Sequence, residues 1–341
     1  MFKKKGLWLI TMMLLFTLVL GACKPSTPAE EAAPVEEEAA PVEEEAAPVE
    51  EEAAPVEEEA GCPAVTIADR AGVTAGEYMR LYELADYEAA ADCTMTFQEN
   101  PAIAELNARI TNNPELPPVE ERVPAEPLVV VPYEAIGQYG GKFHALSNAT
   151  EAGTSDFLSV RHVNLVRFGD DYVTIEPNVA KGWEWNDDFT EITFFLRAGH
   201  KWSDGAPFTS ADVAFWLNDI VLNTDIYENT PTWVQFGDGT MTIEVIDETT
   251  FTLIFPVPTP GITSFFATSF RQPFQPKHFF DAKVAGGMTF VDAVTLYYGL
   301  SDWTDVPSPL LSGTGDDVKP TLESHILVEE TTEGRRLVAN P

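Results

Sequence analysis

Proline recurs at every seventh position of the run AAPVEEEAAPVEEEAAPVEEEAAPVEEE, from Ala32 to Glu59. A period of seven suggests a coiled coil. However, Pro34, Pro41, Pro48 and Pro55 would each remove a backbone donor and clash with the preceding turn, at about 3 kcal/mol per helix-interior position. The apolar residues also fall in one Ala-Ala-Pro-Val block per unit, so they cannot form an a/d seam. What remains is an extended, self-repelling spacer, able to reach on the order of 80 Å in polyproline-like geometry. Repeat expansion by slippage in a tolerant linker accounts for its origin equally well, since composition alone sets its stiffness. Any folded body must come from the residues that follow.

What precedes the spacer says what it spaces from. Lys3, Lys4 and Lys5 make a positive start, and Leu7 to Leu20 form an apolar run that is short for a spanning helix. The run ends in Leu20-Gly21-Ala22-Cys23, which resembles the lipobox of bacterial lipoproteins. That resemblance implies a signal peptide over residues 1–22 and an acylated Cys23 as the mature amino terminus. The alternative is an uncleaved membrane anchor. Buried methylenes contribute about 0.8 kcal/mol each, so two or more acyl chains would hold the protein stably on a membrane. We therefore expect a lipid-anchored, extracytoplasmic body, at the cell surface or in the periplasm, lifted off the membrane by a linker over residues 23–61.

Charge narrows the partners. The chain carries −35 overall: +3 before Cys23, −13 over residues 24–61, and −25 on the remainder. Such a surface repels nucleic acid, which excludes a nucleic-acid partner. Beyond Cys23 there are only Cys62 and Cys93. Outside the cytoplasm this pair is expected to form one disulfide, the alternative being two buried free thiols.

The body falls into two textures. Residues 62–126 read as a helical extension. Tyr78, Leu81, Tyr82, Leu84 and Ala85 lie at near-helical spacing, NPAIAELNARI supplies a second short helix, and a proline-rich tether follows. From residue 127 the pattern turns to mixed strand and helix. VNLVRFGDDYVTIEP looks like a helix end and a strand joined at Gly169-Asp170. Ile192, Phe194 and Leu196 alternate as in a strand, between turns at Asn186-Asp187-Asp188 and Asp204-Gly205. Thr209 or Ser210 then sits where an N-cap belongs, with Asp212 favoured by the positive end of the helix dipole. Val213, Leu217, Ile220 and Val221 follow at helical spacing, and MTIEVIDETTFTLIFP reads as a hairpin. Strands alternating irregularly with short helices indicate an α/β domain.

The run ITFFLRAGHKWSDGAPFTSADVAFWL resembles the signature of the bacterial extracellular solute-binding proteins of family 5, the oligopeptide- and dipeptide-binding group. That signature has a strand ending in Leu-Arg, a Trp-Ser-Asp-Gly-like turn, and Thr/Ser-Ala-x-Asp-Val opening a helix. The lead-in VAKGWEWNDD and the later IDETTFTLIFPVPTPGITSFFATSFRQPFQPKHFF are similar to the flanking family segments. The resemblance runs from near Leu128 to the end. It implies periplasmic-binding-protein-like type II mixed-sheet lobes over residues 127–341, with a small lobe at about 163–256 and the second large lobe missing. Two departures stand out. Gly313-Thr314-Gly315-Asp316-Asp317 replaces the family's Gly-Thr-Gly-Pro-aromatic, and the chain ends at RRLVANP where the family continues.

No catalytic constellation accompanies this. His144, His162, His200, His278 and His325 show no i,i+4 pair and no HExxH, and there is no G-x-S-x-G or Walker A sequence. The reading is therefore a non-enzymatic receptor without a metal or other cofactor. It would capture a peptide or similar small solute for an ABC permease powered by separate ATPase subunits. The alternatives are a non-transporting envelope lipoprotein, a degenerate receptor fragment, or an extracytoplasmic hydrolase. For ligand contacts the resemblance implies three places. One is the loop NATEAGTSD, through Thr150, Gly153, Thr154 and Ser155. The second is a pair of small-lobe aromatics, Trp233 and Phe236, for which core packing is the competing role. The third is the return segment, through Phe270 and Arg271, where a surface salt bridge is the competing role for the arginine. Trp202, Asp204 and Gly205 carry the family motif and are expected to be structural.

Overall fold

The computed structural model describes residues 62, 81–107, 116–132, 136–144, 163–269, 272–298, 319–331 and 334–341. All of them belong to the compact unit Glu58–Pro341. Its centre is a four-stranded antiparallel sheet in the order β5 (Ala180–Trp185), β6 (Glu191–Leu196), β10 (Thr250–Ile254), β9 (Thr242–Asp247). The period-two pattern settles which face is buried. Phe194 stands opposite Trp183 on one side and Phe251 on the other, and Ile192, Phe194, Leu196, Phe251 and Leu253 are buried. The Phe194 ring stacks on Phe251 at 5.5 Å and meets Phe266 edge-on at 6.2 Å. The opposite face is polar: Glu184, Thr193, Thr252 and Glu244 form one cross-strand row, with the two threonine hydroxyls 2.8 Å apart. The outer strands leave Glu184 and Glu244 at the exposed ends of this row while Thr252 at its centre is buried, so this face is only partly solvated, as an antiparallel sheet allows.

Short helices close the core. α4 (Ser210–Ala214) begins with a reciprocal capping box between Thr209 and Asp212. It runs directly into a wider π-helical stretch, Phe215–Val221, with the Leu222 amide bonding to the Leu217 carbonyl. The wider winding carries Trp216, Leu217 and Val221 into the main core, and Phe215 and Ile220 into a second one. α5 (Ile262–Thr268) supplies Ile262 and Phe266 to the main core. α6 (Lys277–Ala285) and α7 (Phe290–Tyr297) enclose the second core with Phe279, Phe280, Val294 and Tyr297.

Two sequence expectations need correction. The VRF segment, expected as a helix end, is strand β3 (Val166–Phe168), which pairs antiparallel with β4 (Ile175–Pro177) through a turn where Asp171 caps the Val173 and Thr174 amides. A hairpin suits this segment better because the Gly169-Asp170 turn is followed by a β-branched run. Leu81 and Tyr82, expected on a helix, lie in β1 (Leu81–Glu83), which pairs with β2 (Leu128–Val130). Helical spacing was met by chance there, and a partner nearly fifty residues away supplied the ladder. The helix proper is α1 (Leu84–Ala91), followed by α2 (Ile103–Asn107) and α3 (Val119–Arg122). Cys62 and Cys93 are joined, with Cα atoms 5.1 Å apart. A carboxy-terminal hairpin, β11 (His325–Thr331) with β12 (Gly334–Ala339), completes the described fold.

Candidate solute-binding site

The sequence motif that most marks this chain converges on one carboxylate. Trp202 is buried at the turn that ends in Gly205, whose φ of +86° suits glycine. Asp212 Oδ2 accepts from the Thr209 amide at 3.0 Å and from Trp202 Nε1 at 3.2 Å. Its Oδ1 accepts from the Lys277 amide at 2.9 Å. One side chain thus ties the Trp-Ser-Asp-Gly turn, the start of α4 and the start of α6 together. Burial raises the Asp212 pKa, and the three hydrogen bonds oppose that rise without cancelling it.

Beside it, His278 Nε2 and Asp204 Oδ2 lie 2.7 Å apart, both partly exposed. Burial alone would lower the His278 pKa, but the Asp204 hydrogen bond and the charges of Asp204, Asp212 and Asp281 raise it. Burial alone would raise Asp204, but its bonds from His278 and the Ala206 amide hold it below the ordinary value. His200, half-buried and edge-on to Phe208, has its pKa lowered to about 4 by desolvation and by the charges of Arg197 and Lys201. Asp212 and the Asp204–His278 pair hold elements in register.

Trp233 and Phe236 have a different setting. Trp233 sits on a short 3-10 turn, Thr232–Val234, that leads into the hairpin β7 (Gln235–Phe236) and β8 (Gly239–Thr240). It is half-buried and stacks on the buried Trp216 at 5.7 Å with 27° between planes. Trp216 in turn donates from Nε1 to the Tyr298 hydroxyl at 3.3 Å. Phe236, also half-buried, meets Phe255 edge-on at 5.1 Å. The hairpin lies close to the Pro256-Val257 segment: a Cβ on Gly239 would come within 2.8 Å of Pro256 Cγ. Both aromatics therefore brace against the core, and neither is fully enclosed by it.

Thr150, Gly153, Thr154, Ser155, Phe270, Arg271 and Cys23 lie outside the described residues. On either side of residues 270–271, the Asn164 side-chain amide donates to the Ser269 carbonyl at 3.2 Å and Gln272 Nε2 donates to Glu323 at 3.1 Å. Among the described residues there is no cluster of three His, Cys, Asp or Glu able to hold a metal. No helix of those residues is long and apolar enough to cross a membrane. Sequence reasoning missed the Trp216–Tyr298 bond and the reach of Asp212 to Trp202 and Lys277. The capping pattern around Thr209 was the one available signal for the latter.

Comparison with known proteins places this geometry. Residues 174–305 match the model described as bacterial extracellular solute-binding proteins, family 5 Middle. The periplasmic alpha-galactoside-binding protein of Rhizobium meliloti (strain 1021) is 34% identical over 168 residues, 42% of this chain and 24% of that protein. Among solved structures, an oligopeptide-binding protein OppA is 29% identical with a TM-score of 0.59, covering 76% of this chain and 40% of that one. The periplasmic binding protein MelB of Agrobacterium fabrum C58, solved in complex with stachyose, has a TM-score of 0.51 at 21% identity. It covers 84% of this chain and 42% of its own, and at that identity the likeness concerns the fold. The chain thus spans about a quarter of the curated relative and two fifths of the solved ones. Its mixed sheet and helices form part of a periplasmic-binding-protein fold, and over residues 174–305 the chain is similar to the middle segment of the family 5 extracellular solute-binding proteins.

Proposed function

We propose that this chain is the amino-terminal part of an extracytoplasmic receptor that captures a small solute and presents it to an ABC permease, with no chemistry of its own. The family match over residues 174–305 carries this reading. The lipobox-like Leu20–Cys23 and the acidic spacer fit the same role, with Cys23 as the lipid anchor and the membrane reached through it. Trp233 and Phe236 are its candidate contacts on the described surface, with Thr150, Gly153, Thr154, Ser155, Phe270 and Arg271 as candidates elsewhere. Family relatives are binding proteins, which favours a receptor over a hydrolase.

Peptides or similar small solutes are the first ligand class, in line with the oligopeptide-binding neighbour. The 34% identity to an alpha-galactoside-binding protein favours a second reading, an oligosaccharide that would stack on an aromatic face such as Trp233. Calorimetric titration of the full-length receptor with a mixed tripeptide pool and with stachyose separates them. Heat from the peptides alone supports the first reading and heat from stachyose alone the second. Silence from both, with nothing found by native mass spectrometry of the purified receptor, refutes the receptor assignment.

A further inference from the structure

Residues 81–107 and 116–131 are held to the sheet by far more than the backbone that leads into it. Arg197, at the end of β6, has a side chain only 3% exposed. Its Nη1 donates to Glu83 Oε2 at 2.6 Å and to the Glu126 carbonyl at 2.9 Å, and its Nη2 donates to Glu83 Oε1 at 3.0 Å. Its Nε donates to the Asn178 carbonyl at 3.0 Å. Glu83 ends β1 and Glu126 precedes β2, so one guanidinium gathers both strands of the extension's ladder. Around it, the Ala125 amide donates to the Ala198 carbonyl at 2.9 Å, Lys181 pairs with Glu126 at 2.9 Å, and Lys201 donates to the Glu121 carbonyl. On another side Arg122 donates to the Pro341 carbonyl, and Leu106 packs on Ile326 and Val338 of the carboxy-terminal hairpin.

An arginine buried to this degree cannot be left unpaired. Removing one partner of a buried ion pair strands the other charge in a poorly solvated site, which is far costlier than the pair's net contribution. The bidentate fork also demands a carboxylate at a fixed angle, which Glu83 supplies only while β1 is docked. The second lock is covalent. Cys93 lies two residues past α1 and is bonded to Cys62, the first residue after the acidic spacer and its Ala-Gly end.

We infer that residues 81–107 and 116–131, with Cys62 bonded to Cys93, form a mooring for the spacer. Arg197 clamps it to the sheet, and the disulfide closes its start onto the clamped part. A pull arriving along the spacer then enters the domain through Cys62, Cys93 and Arg197 instead of through β2. The disulfide also sets the tether's length. An external dithiol reductant would transfer two electrons and two protons, leaving two thiols and its own disulfide. The pull would then pass along the chain from Cys62 towards Leu81, nineteen residues later, a gain of at most about 65 Å at roughly 3.3–3.6 Å per residue when straightened. This device is independent of which solute is bound.

Single-molecule stretching of the full chain between Ser26 and the carboxy terminus, oxidised and then in dithiothreitol, tests both locks. The wild type should lengthen on reduction, by up to about 65 Å, before the domain unfolds. Reduced Glu83→Gln should lengthen further, by up to roughly 170 Å, as the chain from Leu81 to Val131 comes free. Equal lengths for the oxidised and reduced wild type would overturn the covalent lock. Release of the whole segment by the reduced wild type would overturn the clamp. The domain's own unfolding step reports whether Glu83→Gln folds. If that step is missing, Glu83→Asp, which keeps the charge and shortens the reach, takes its place with the same expected release.

Discussion

Replacing Asp212 should separate the number of hydrogen bonds it accepts from the charge it carries. Asp212→Ala leaves the Thr209 amide, Trp202 Nε1 and the Lys277 amide without their acceptor, in a site where Trp202 and Asp212 are both buried. A buried donor left unsatisfied costs about 1–3 kcal/mol, so three of them, some reached by water after relaxation, amount to roughly 3–6 kcal/mol. That is a large share of a typical total of about 5–15 kcal/mol. Asp212→Asn behaves differently. Its single oxygen can serve the Thr209 and Trp202 side, but its NH2 group then faces the Lys277 N–H, donor against donor. One hydrogen bond is lost and about 1–3 kcal/mol with it. Urea unfolding followed by tryptophan fluorescence would show the midpoint falling in the order wild type, Asp212→Asn, Asp212→Ala, with little change in slope. Equal losses for the two variants would mean that the charge, not the acceptor count, is what matters. A loss under about 1 kcal/mol for Asp212→Ala would refute the hub altogether.

Three further outcomes are expected. His278 has a raised folded pKa, so its contribution is full below the unfolded value of 6.5 and fades as pH rises through the folded one. Asp204 runs the other way, its contribution being lost as pH falls below 3.8. The melting temperature of the wild type should therefore drop on going from slightly acid to alkaline pH by more than that of His278→Gln, and parallel profiles would count against the pair. Cys23→Ala should leave an unprocessed precursor in the producing cell, and an unchanged mature mass and membrane fraction would sink the lipoprotein reading. Thiol alkylation of the native secreted protein should find Cys62 and Cys93 unreactive until reduction, which should also lower stability by about 3–4 kcal/mol for a loop of this size. Two alkylatable thiols in the native protein would exclude the bond.

Elements specified by neighbouring residues were legible in the sequence. The β6 alternation at Ile192, Phe194 and Leu196 reappears as buried side chains, and the Thr209 cap reappears with its partner three residues on, because both patterns repeat at the period of the element itself. The hairpin of β9 and β10 was equally plain, since a polar turn at Asp247–Thr250 joins two alternating runs. The π-helical winding after α4 was not legible. Val213, Leu217, Ile220 and Val221 satisfy ordinary helical spacing, and only the i to i−5 bond from Leu222 to Leu217 distinguishes the two windings. The family resemblance supplied what periodicity could not, namely that these elements form part of a periplasmic-binding-protein fold.

The hardest features to read were those where distant segments complete each other's chemistry. Nothing in GEYMRLYELADYE marks Glu83 as the partner of an arginine more than a hundred residues later, and helical spacing argued against the strand that delivers it. Arg197 itself reads as one of the two residues closing a familiar strand, equally at home on the surface. Its burial follows only once Asn178, Glu83 and the Glu126 carbonyl are in place together, since each alone would leave most of the guanidinium's donors unmet. The same holds for Asp212: its capping role is local and visible, whereas Trp202 and Lys277 reach it only after the sheet and α6 have assembled. Such sites resist reading from sequence because a buried charge is tolerable only as a complete set of partners. That requirement in turn makes Glu83 and Asp212 the positions where one substitution should disturb several segments at once.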